Sequence, residues 1–206
     1  MSRWPLPAGV HGSAMFSPDG NYRYWLERGW DRRLPRFTYV LLNPSRASGH
    51  EDDPTTRKLQ SISVANGGGG YVLVNLFASV DTRQTGLHRD MAVGASPEAN
   101  DGWLNAAVAC SPRIVVGWGT GTADVPHVGA RRRAILRRAR DVWPVLRPHE
   151  LWCVGHNRGG SPRHPGRGVR NDALLHRYVP TDGYPVTSTS RSASGATAFD
   201  HLPGEP

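Results

Sequence analysis

Residues 37–42 read FTYVLL, and Asn43-Pro44-Ser45 ends this apolar run abruptly. The run is short, aromatic and β-branched, which is typical of a buried β-strand. Residues 71–74 (YVLV) form a second run of this kind, which ends at Asn75. A nearly continuous apolar strand suits a parallel sheet that is buried on both faces. These two segments therefore predict the core strands from which the rest of the fold extends.

Two further apolar runs continue the pattern along the chain. Residues 114–116 (IVV) end near Trp118, which lies between two glycines, and residues 151–154 (LWCV) end at Gly155-His156. Predicted helices separate the strands, so that strand and helix alternate. This order predicts a three-layer α/β/α fold with a central four-stranded, mainly parallel sheet and right-handed crossovers.

The predicted helices are marked by their N-terminal residues and by composition. Asp53 and Ser96 each precede a proline, and such an N-cap before proline at the first helical position is a common helix start. The second of these helices should end near Cys110. A third, rich in arginine, should span about residues 129–142, and a short helical stretch is expected near residues 172–178.

The segments outside the core suggest simpler structure. Residues 17–21 (SPDGN) form a turn cluster, and residues 22–28 alternate as a half-buried strand would, which predicts an N-terminal antiparallel β-hairpin addition. Residues 181–206, rich in Ser, Thr, Gly and Ala, predict a flexible, disordered C-terminal tail. We expect a single α/β domain over residues 1–180, with its core at 36–166.

Composition limits the possible classes of protein. The chain has 206 residues, of which 38% are hydrophobic. No apolar run approaches the ~20 residues of a membrane helix, and residues 1–10 lack a signal pattern. We therefore expect no membrane partner and a cytoplasmic location. Cys110 and Cys153 lie in apolar contexts without CxxC spacing, which predicts two buried thiols.

The charge of the chain is strongly positive. The formal net charge is +8, and Lys58 is the only lysine. An excess of positive charge attracts polyanions such as nucleic acid. The arginines of the predicted third helix could contact phosphates, or they could form a solvated helix surface. These residues are Arg131, Arg132, Arg133, Arg137, Arg138 and Arg140.

A conspicuous side chain follows each core strand at its carboxyl end. These residues are Asn43, Asn75, Trp118 and His156. Ligands of parallel α/β sheets bind outside the carboxyl ends of the strands, so the pattern predicts a site there. An asparagine amide offers both a donor and an acceptor, which suits a water or one edge of a nucleobase. Trp118 is either a core residue or a wall of this site.

Two loops could complete the site. Asp52 and Arg57 could bind a ligand or pair with each other, while Asp53 is expected to act as the N-cap. His156 and His164 could each act as a general acid or donate a hydrogen bond to a developing anion.

The segment between these two histidines could bind phosphate through Arg158, Ser161 and Arg163, or it could be a basic, mobile surface loop. The sequence contains no phosphate loop, dinucleotide-binding turn or nucleophile elbow. We therefore expect no cofactor, and the adjacent acids Asp52 and Asp53 lack a third residue of suitable spacing for a metal site.

Five motifs in a fixed order resemble a widespread bacterial and phage domain family of unknown function. They are LNPS at 42–45, DDPT at 52–55, NLF at 75–77, GWG at 117–119 and SPRHP at 161–165. The resemblance runs from about Arg36 to Pro165 and implies no activity.

The layout is also similar, more distantly, to the uracil-DNA glycosylase superfamily. This resemblance implies that Asn43, before Pro44, orients a water and that Asn75 reads the base. It implies a histidine at the position of His156, although the Ser-Pro and His-Pro pairs come later, around His164. Phe77 is not at the place expected for the base-stacking aromatic residue. The remaining candidates for substrate binding are Ser45, Asp52, Arg57, Phe77 and Trp118.

The leading hypothesis is a nucleobase-recognising protein that acts on nucleic acid and hydrolyses an N-glycosidic bond. One alternative is an enzyme of free nucleotide, nucleoside or modified-base metabolism. Another is a non-enzymatic nucleic-acid-binding module. The expected partner is DNA or a nucleotide, and the sequence gives no oligomeric state.

Overall fold

The computed structural model describes residues 4–80, 96–120, 128–166 and 168–180. The predicted tail at 181–206 lies outside the described residues. The helices are α1 (Pro54–Ala65), α2 (Pro97–Ala109) and α3 (Val128–Leu146). The strands are β1 (Trp4–Pro5), β2 (His11–Phe16), β3 (Arg23–Gly29), β4 (Arg36–Leu41), β5 (Glu51–Asp52), β6 (Gly70–Asn75), β7 (Arg113–Gly117), β8 (Leu151–Cys153) and β9 (His176–Arg177).

Seven of the described strands form one mixed sheet in the order β2-β3-β6-β4-β7-β8-β9. Strand β4 pairs in parallel with β6 and with β7, and β7 pairs in parallel with β8. The pairs β2–β3, β3–β6 and β8–β9 are antiparallel. The predicted α/β class is confirmed. The four apolar runs predicted as core strands are β4, β6, β7 and β8, and the sheet is larger than four strands because the predicted hairpin and the unpredicted β9 extend it on both sides.

The prediction of a helix near residues 172–178 is wrong, because β9 lies there. Its residues His176 and Arg177 pair antiparallel with β8. On either side of them, Leu175 and Tyr178 are buried in different core clusters. Residues three apart share one face of a helix, whereas they point to opposite faces of a strand. Only the extended chain can therefore bury both side chains.

Alternating side chains of the central strands divide the core into two clusters. Val40 and Val74 face the cluster that includes residues of α2 and α3, whereas Tyr39 and Leu73 face the cluster that includes residues of α1. This alternation follows from the two-residue period of a strand. The sheet is therefore covered by helices on both faces, and α1 marks the face on which the site described below lies.

The predicted helix starts are confirmed by the caps. The Asp53 carboxylate accepts from the backbone N–H groups of Thr55 (2.9 Å) and Thr56 (3.0 Å), and the Ser96 hydroxyl accepts from that of Ala99 (3.2 Å). Each cap satisfies N–H groups that the first turn of a helix leaves without an intrahelical partner.

The two cysteines differ from the prediction in part. Cys153 is buried, as expected, but Cys110 is exposed. The apolar context of Cys110 belongs to α2, and Cys110 itself is the C-cap residue after the last turn. No helix in the described part of the chain is long and apolar enough to cross a membrane.

A buried ion pair joins the hairpin to the loop that precedes α1. The Nε atom of Arg28 donates to the Asp52 carboxylate at 2.9 Å, and both side chains are fully buried. The Arg28 Nη2 also donates to the carbonyls of Ser48 (2.7 Å) and Glu51 (3.0 Å). The Arg28 guanidinium therefore fixes the course of residues 48–52. Asp52 does not pair with Arg57, which was one of the two predicted roles.

We expect Asp52→Asn to lower the free energy of unfolding by roughly 3 kcal/mol, because it leaves the buried Arg28 charge without its counterion. Urea unfolding measures the difference. The matched control is Asp31→Asn, which breaks the exposed pair with Arg33 and should change stability little. Equal effects of the two substitutions would contradict a structural role for Asp52.

Candidate functional site

The carboxyl ends of β4 and β6 lie side by side. Leu41 is the register partner of Asn75, and beyond the strands the N–H of Leu76 donates to the Leu41 carbonyl at 2.9 Å. The N–H of Phe77 donates to the Leu42 carbonyl at 3.0 Å. The segments that follow β4 and β6 therefore continue side by side past the sheet. This places the turn at Asn43 beside the end of β6.

The Asn75 side chain is buried without a partner. Its side chain is on the face of β6 that carries Tyr71 and Leu73, the face covered by α1. The residue is 2% exposed, and neither amide atom has a hydrogen-bond partner in the described structure. A buried polar group without a partner costs about 1–3 kcal/mol. A ligand that hydrogen-bonds to this amide would remove the cost.

The main chain at the end of β6 is held from the other side by α2 and α3. The Asn100 amide donates to the carbonyls of Asn75 (3.1 Å) and Leu76 (3.2 Å), and Arg138 donates to the Leu76 carbonyl at 2.8 Å. Arg138 also pairs with Asp101. Arg138 is thus turned inward, unlike the exposed arginines of α3, and it fixes the strand end from which Asn75 projects.

Arg23 is a second buried group at this site, and the sequence analysis missed it. Its Nη1 donates to the carbonyls of Ala47 (3.0 Å) and Ser45 (3.4 Å), while Nε and Nη2 have no partner among the described residues. The residue is 1% exposed. Burial lowers the pKa of Arg23 to about 10, and the nearby Asp53 carboxylate partly opposes this shift.

A β-bulge explains the direction of the Arg23 side chain. Met15 pairs with Trp25 and Phe16 pairs with Arg23, so Tyr24 is an extra residue in β3. A bulge of this kind re-aims a side chain. Strict alternation would place Arg23 on the face of Trp25, but its guanidinium bonds instead to the main chain beside Ala47, a residue of the α1-side cluster.

The two carboxylate oxygens of Asp53 have different surroundings. Its Oδ1 caps α1, whereas Oδ2 is buried and accepts no hydrogen bond within the described part of the chain. The Asp53 charge raises the pKa of both Arg23 and His164, in each case against the larger effect of burial. The carboxylate is therefore near enough to an arginine of β3 and to a histidine of the C-terminal loop to act on both electrostatically.

His164 is the histidine that the structure brings to this site. Its loop packs on the end of β7: the N–H of Gly119 donates to the Pro162 carbonyl at 2.9 Å. A Cβ atom on Gly117 would lie 2.9 Å from Pro165, so the close approach requires glycine. Burial lowers the pKa of His164 to about 4. Its imidazole is therefore neutral at physiological pH and can donate a hydrogen bond.

His156 lies elsewhere. It is exposed and stacks on Tyr178 with a centroid distance of 5.4 Å, and Tyr178 belongs to the core cluster on the α2 and α3 side. Arg158 and Arg163 are exposed, and Arg163 donates to the Gly168 carbonyl at 3.2 Å. Ser161 is buried, and its hydroxyl accepts from the Asn157 amide at 3.2 Å.

The other predicted site residues have different surroundings. Asn43 is half-buried, and its Nδ2 donates to the Pro44 carbonyl at 3.3 Å. The Ser45 hydroxyl is buried without a partner in the described structure. The Arg57 guanidinium lies 4.2 Å from the centre of the Trp4 ring. Phe77 and Trp118 are buried in the α2 and α3 side cluster, so the structure places them in the core.

The candidate site is therefore a strand-end cluster. It has buried donors on an arginine, a buried carboxylate oxygen, an unpartnered amide, a hydroxyl and a neutral imidazole. Its members are Arg23, Ser45, Asp53, Asn75 and His164. No three His, Cys, Asp or Glu residues group as metal ligands in the described ranges. Such a set of donors and acceptors suits a neutral, polar organic ligand.

We expect acid to destabilise the protein through His164. Its pKa of about 4 in the folded state is below the ordinary value of 6.5, so the unfolded chain binds the proton more tightly. The free energy of unfolding should fall as the pH drops from 6.5 towards 4. Urea unfolding across this range should show a smaller fall in His164→Gln than in the wild type. The same fall in His164→Gln and in the exposed control His149→Gln would contradict the assignment.

Comparison with known families gives one match. The family described as "Protein of unknown function (DUF1643)" matches residues 23–166, a span that begins at Arg23 and includes His164. Neither the comparison with curated proteins nor that with solved structures gave a match. The matched segment is more than two thirds of the chain and contains the whole strand-end cluster. The chain therefore belongs to DUF1643, a family of proteins of unknown function.

Proposed function

We propose that the strand-end cluster binds a nucleobase and that the protein hydrolyses an N-glycosidic bond in nucleic acid. The observation that carries the proposal is the Asn75 amide, which is 2% exposed with neither atom paired in the described structure. An amide can form two hydrogen bonds with one base edge. A bound base would satisfy the groups that the folded chain leaves without partners.

The proposed hydrolysis assigns different tasks to Asn43 and His164. Asn43 lies in the turn after β4, and its Nδ2 is directed to the Pro44 carbonyl, which leaves Oδ1 to accept from a water. The water oxygen bonds to C1′ of the sugar while the C1′–N bond breaks and its electron pair leaves with the base. The neutral His164 imidazole donates a hydrogen bond to this departing base. The water loses one proton to solvent as it bonds to C1′, and the base anion takes up one proton from solvent after it departs, so atoms and charge balance.

The depth of the cluster supports a flipped base rather than a stacked one. Arg23, Asp53 and Asn75 are each at most 2% exposed. A base in a duplex cannot reach such groups without leaving the stack, and enzymes that act on bases extrude them in this way. Single-stranded substrates avoid most of the cost of unstacking.

We expect Asn75→Leu to lose base binding and to stabilise the ligand-free protein by about 1 kcal/mol, because it removes buried polar atoms without partners. Isothermal titration with nucleosides and oligonucleotides measures binding, and urea unfolding measures stability. Asn105→Leu is the matched control, since Asn105 is exposed on α2 and should leave binding unchanged.

Release of free base from oligonucleotides, followed by chromatography, tests the chemical step. Asn43→Ala should abolish release and keep binding, since Asn43 acts on the water. Base binding by Asn75→Leu as tight as that of the wild type would contradict the proposed site. Binding without release from any of the four bases would leave base recognition in place and refute the hydrolysis.

Exposed arginines favour nucleic acid over a free nucleoside as the ligand. A Cβ atom on Gly159 would lie 3.3 Å from Nη2 of Arg132, so the loop of Arg158 meets the start of α3. Arg132 and Arg158 are both exposed. They form a basic surface that a phosphate backbone could follow.

We expect the double substitution Arg132→Glu, Arg158→Glu to weaken oligonucleotide binding and to reduce its dependence on salt concentration, while nucleoside binding stays unchanged. Fluorescence anisotropy at several salt concentrations measures both quantities. The double substitution Arg32→Glu, Arg33→Glu, at two exposed arginines in the N-terminal part of the chain, is the charge-matched control. An unchanged salt dependence would favour the alternative that the enzyme acts on free nucleosides.

A further inference from the structure

We propose that the base bound by the strand-end cluster is guanine or a guanine-type base, read by the Nε and Nη2 edge of Arg23. This inference rests on the proposed function and specifies its substrate class. It depends on which atoms of three buried side chains lack partners and on the hydrogen-bonding groups of the four bases.

Arg23 is held so that one edge of its guanidinium is free to bind. Nη1 is occupied by the carbonyls of Ala47 (3.0 Å) and Ser45 (3.4 Å). These bonds fix the plane of the group. Nε and Nη2 lie together on the other edge, and both are buried without partners in the described structure. The rigid arginine fork fits two adjacent acceptors, such as the O6 and N7 atoms of guanine.

A second arginine on the same strand provides the comparison. Arg28 is as deeply buried as Arg23, but its Nε meets Asp52 and its Nη1 and Nη2 meet backbone carbonyls. The fold therefore satisfies a buried arginine completely where the role is structural. The unpartnered edge of Arg23 marks a different role at the other end of β3.

The charges around Arg23 favour a neutral ligand over an anion. Asp53 is close enough to raise the pKa of Arg23, so a negative charge already lies near the guanidinium. A phosphate or carboxylate on the Arg23 fork would bring negative charge towards the Asp53 carboxylate. The Oδ2 atom of Asp53 requires a donor instead. A base edge can offer acceptors to Arg23 and a donor to Asp53 at the same time.

Guanine matches the full set of unpartnered atoms. O6 and N7 suit the Arg23 fork, the N1–H group suits the Asn75 Oδ1, and an N2–H group suits the Asp53 Oδ2. The Asn75 Nδ2 can donate to the second lone pair of O6. Each unpartnered atom of the three side chains then has a complementary group on one molecule.

The other bases match less well. Adenine places the N6 donor beside N7, so that a donor would face the Arg23 fork. Uracil and thymine have a donor, N3–H, between their two carbonyl acceptors and offer no adjacent acceptor pair. Cytosine offers O2 and N3 to the fork and N4–H to Asp53, but N1 beside O2 carries the sugar, so no adjacent donor and acceptor pair remains for the Asn75 amide.

Isothermal titration of the full chain with five nucleosides tests the inference. The probes are guanosine, 7-deazaguanosine, adenosine, cytidine and uridine. Guanosine should bind most tightly. 7-Deazaguanosine, in which a C–H replaces N7, should bind about 10-fold more weakly, because the fork loses one acceptor. This comparison needs no variant, so it stands even where a substitution disturbs folding.

Arg23→Lys tests the residue itself, because lysine keeps the charge and removes the fork. The variant should bind guanosine more weakly and should no longer distinguish guanosine from 7-deazaguanosine. Arg33→Lys, an exposed arginine paired with Asp31, is the control and should keep the discrimination. Thermal unfolding of each variant shows whether it is folded.

Three outcomes would overturn the inference in distinguishable ways. If another nucleoside binds most tightly and Asn75→Leu loses that binding, the assignment of guanine is refuted and the proposed function remains intact. Displacement of guanosine by inorganic phosphate alone would show that the Arg23 fork is an anion site. Absence of binding by every nucleoside and by single-stranded oligonucleotides would refute the proposed function together with this inference.

Discussion

The site depends on the parallel pairing of β4 with its two neighbours. Leu41 is opposite both Asn75 of β6 and Gly117 of β7, so three strands end at the same level. Parallel strands direct their carboxyl ends to one edge, and the loops that follow must meet there. The turn at Asn43, the amide of Asn75 and the loop of His164 are neighbours for this reason, although more than 100 residues separate the first from the last.

Two pairs of buried charges in this region differ in how completely their atoms are hydrogen-bonded. Arg28 and Asp52 neutralise each other directly and are surrounded by backbone acceptors. Arg23 and Asp53 influence each other only through the electric field, and each retains unpartnered atoms. Natural proteins rarely leave buried polar atoms unsatisfied, so several in one place indicate a functional site.

Much of the fold could be predicted from sequence because its signals are local. Apolar runs gave the central strands, and Asp53 and Ser96 before proline gave the helix starts. The positions of Arg23 and of β9 could not be predicted, because a bulge and an edge pairing are decided by contacts distant in sequence. Likewise, only packing against β7 separates His164 from His156. The position of Asn75 at the end of a buried strand was predictable because a single polar residue ends an apolar run.

The shared use of Asp53 has a consequence for the motions of α1. One carboxylate oxygen holds the N–H groups of Thr55 and Thr56, while the other faces the site. When the first turn of α1 frays, the carboxylate loses its anchor and the site loses an acceptor. A ligand that binds the second oxygen must therefore slow this fraying. Under the proposed function, hydrogen exchange at the two threonine amides would slow when the site is occupied, so the helix terminus would report ligand binding.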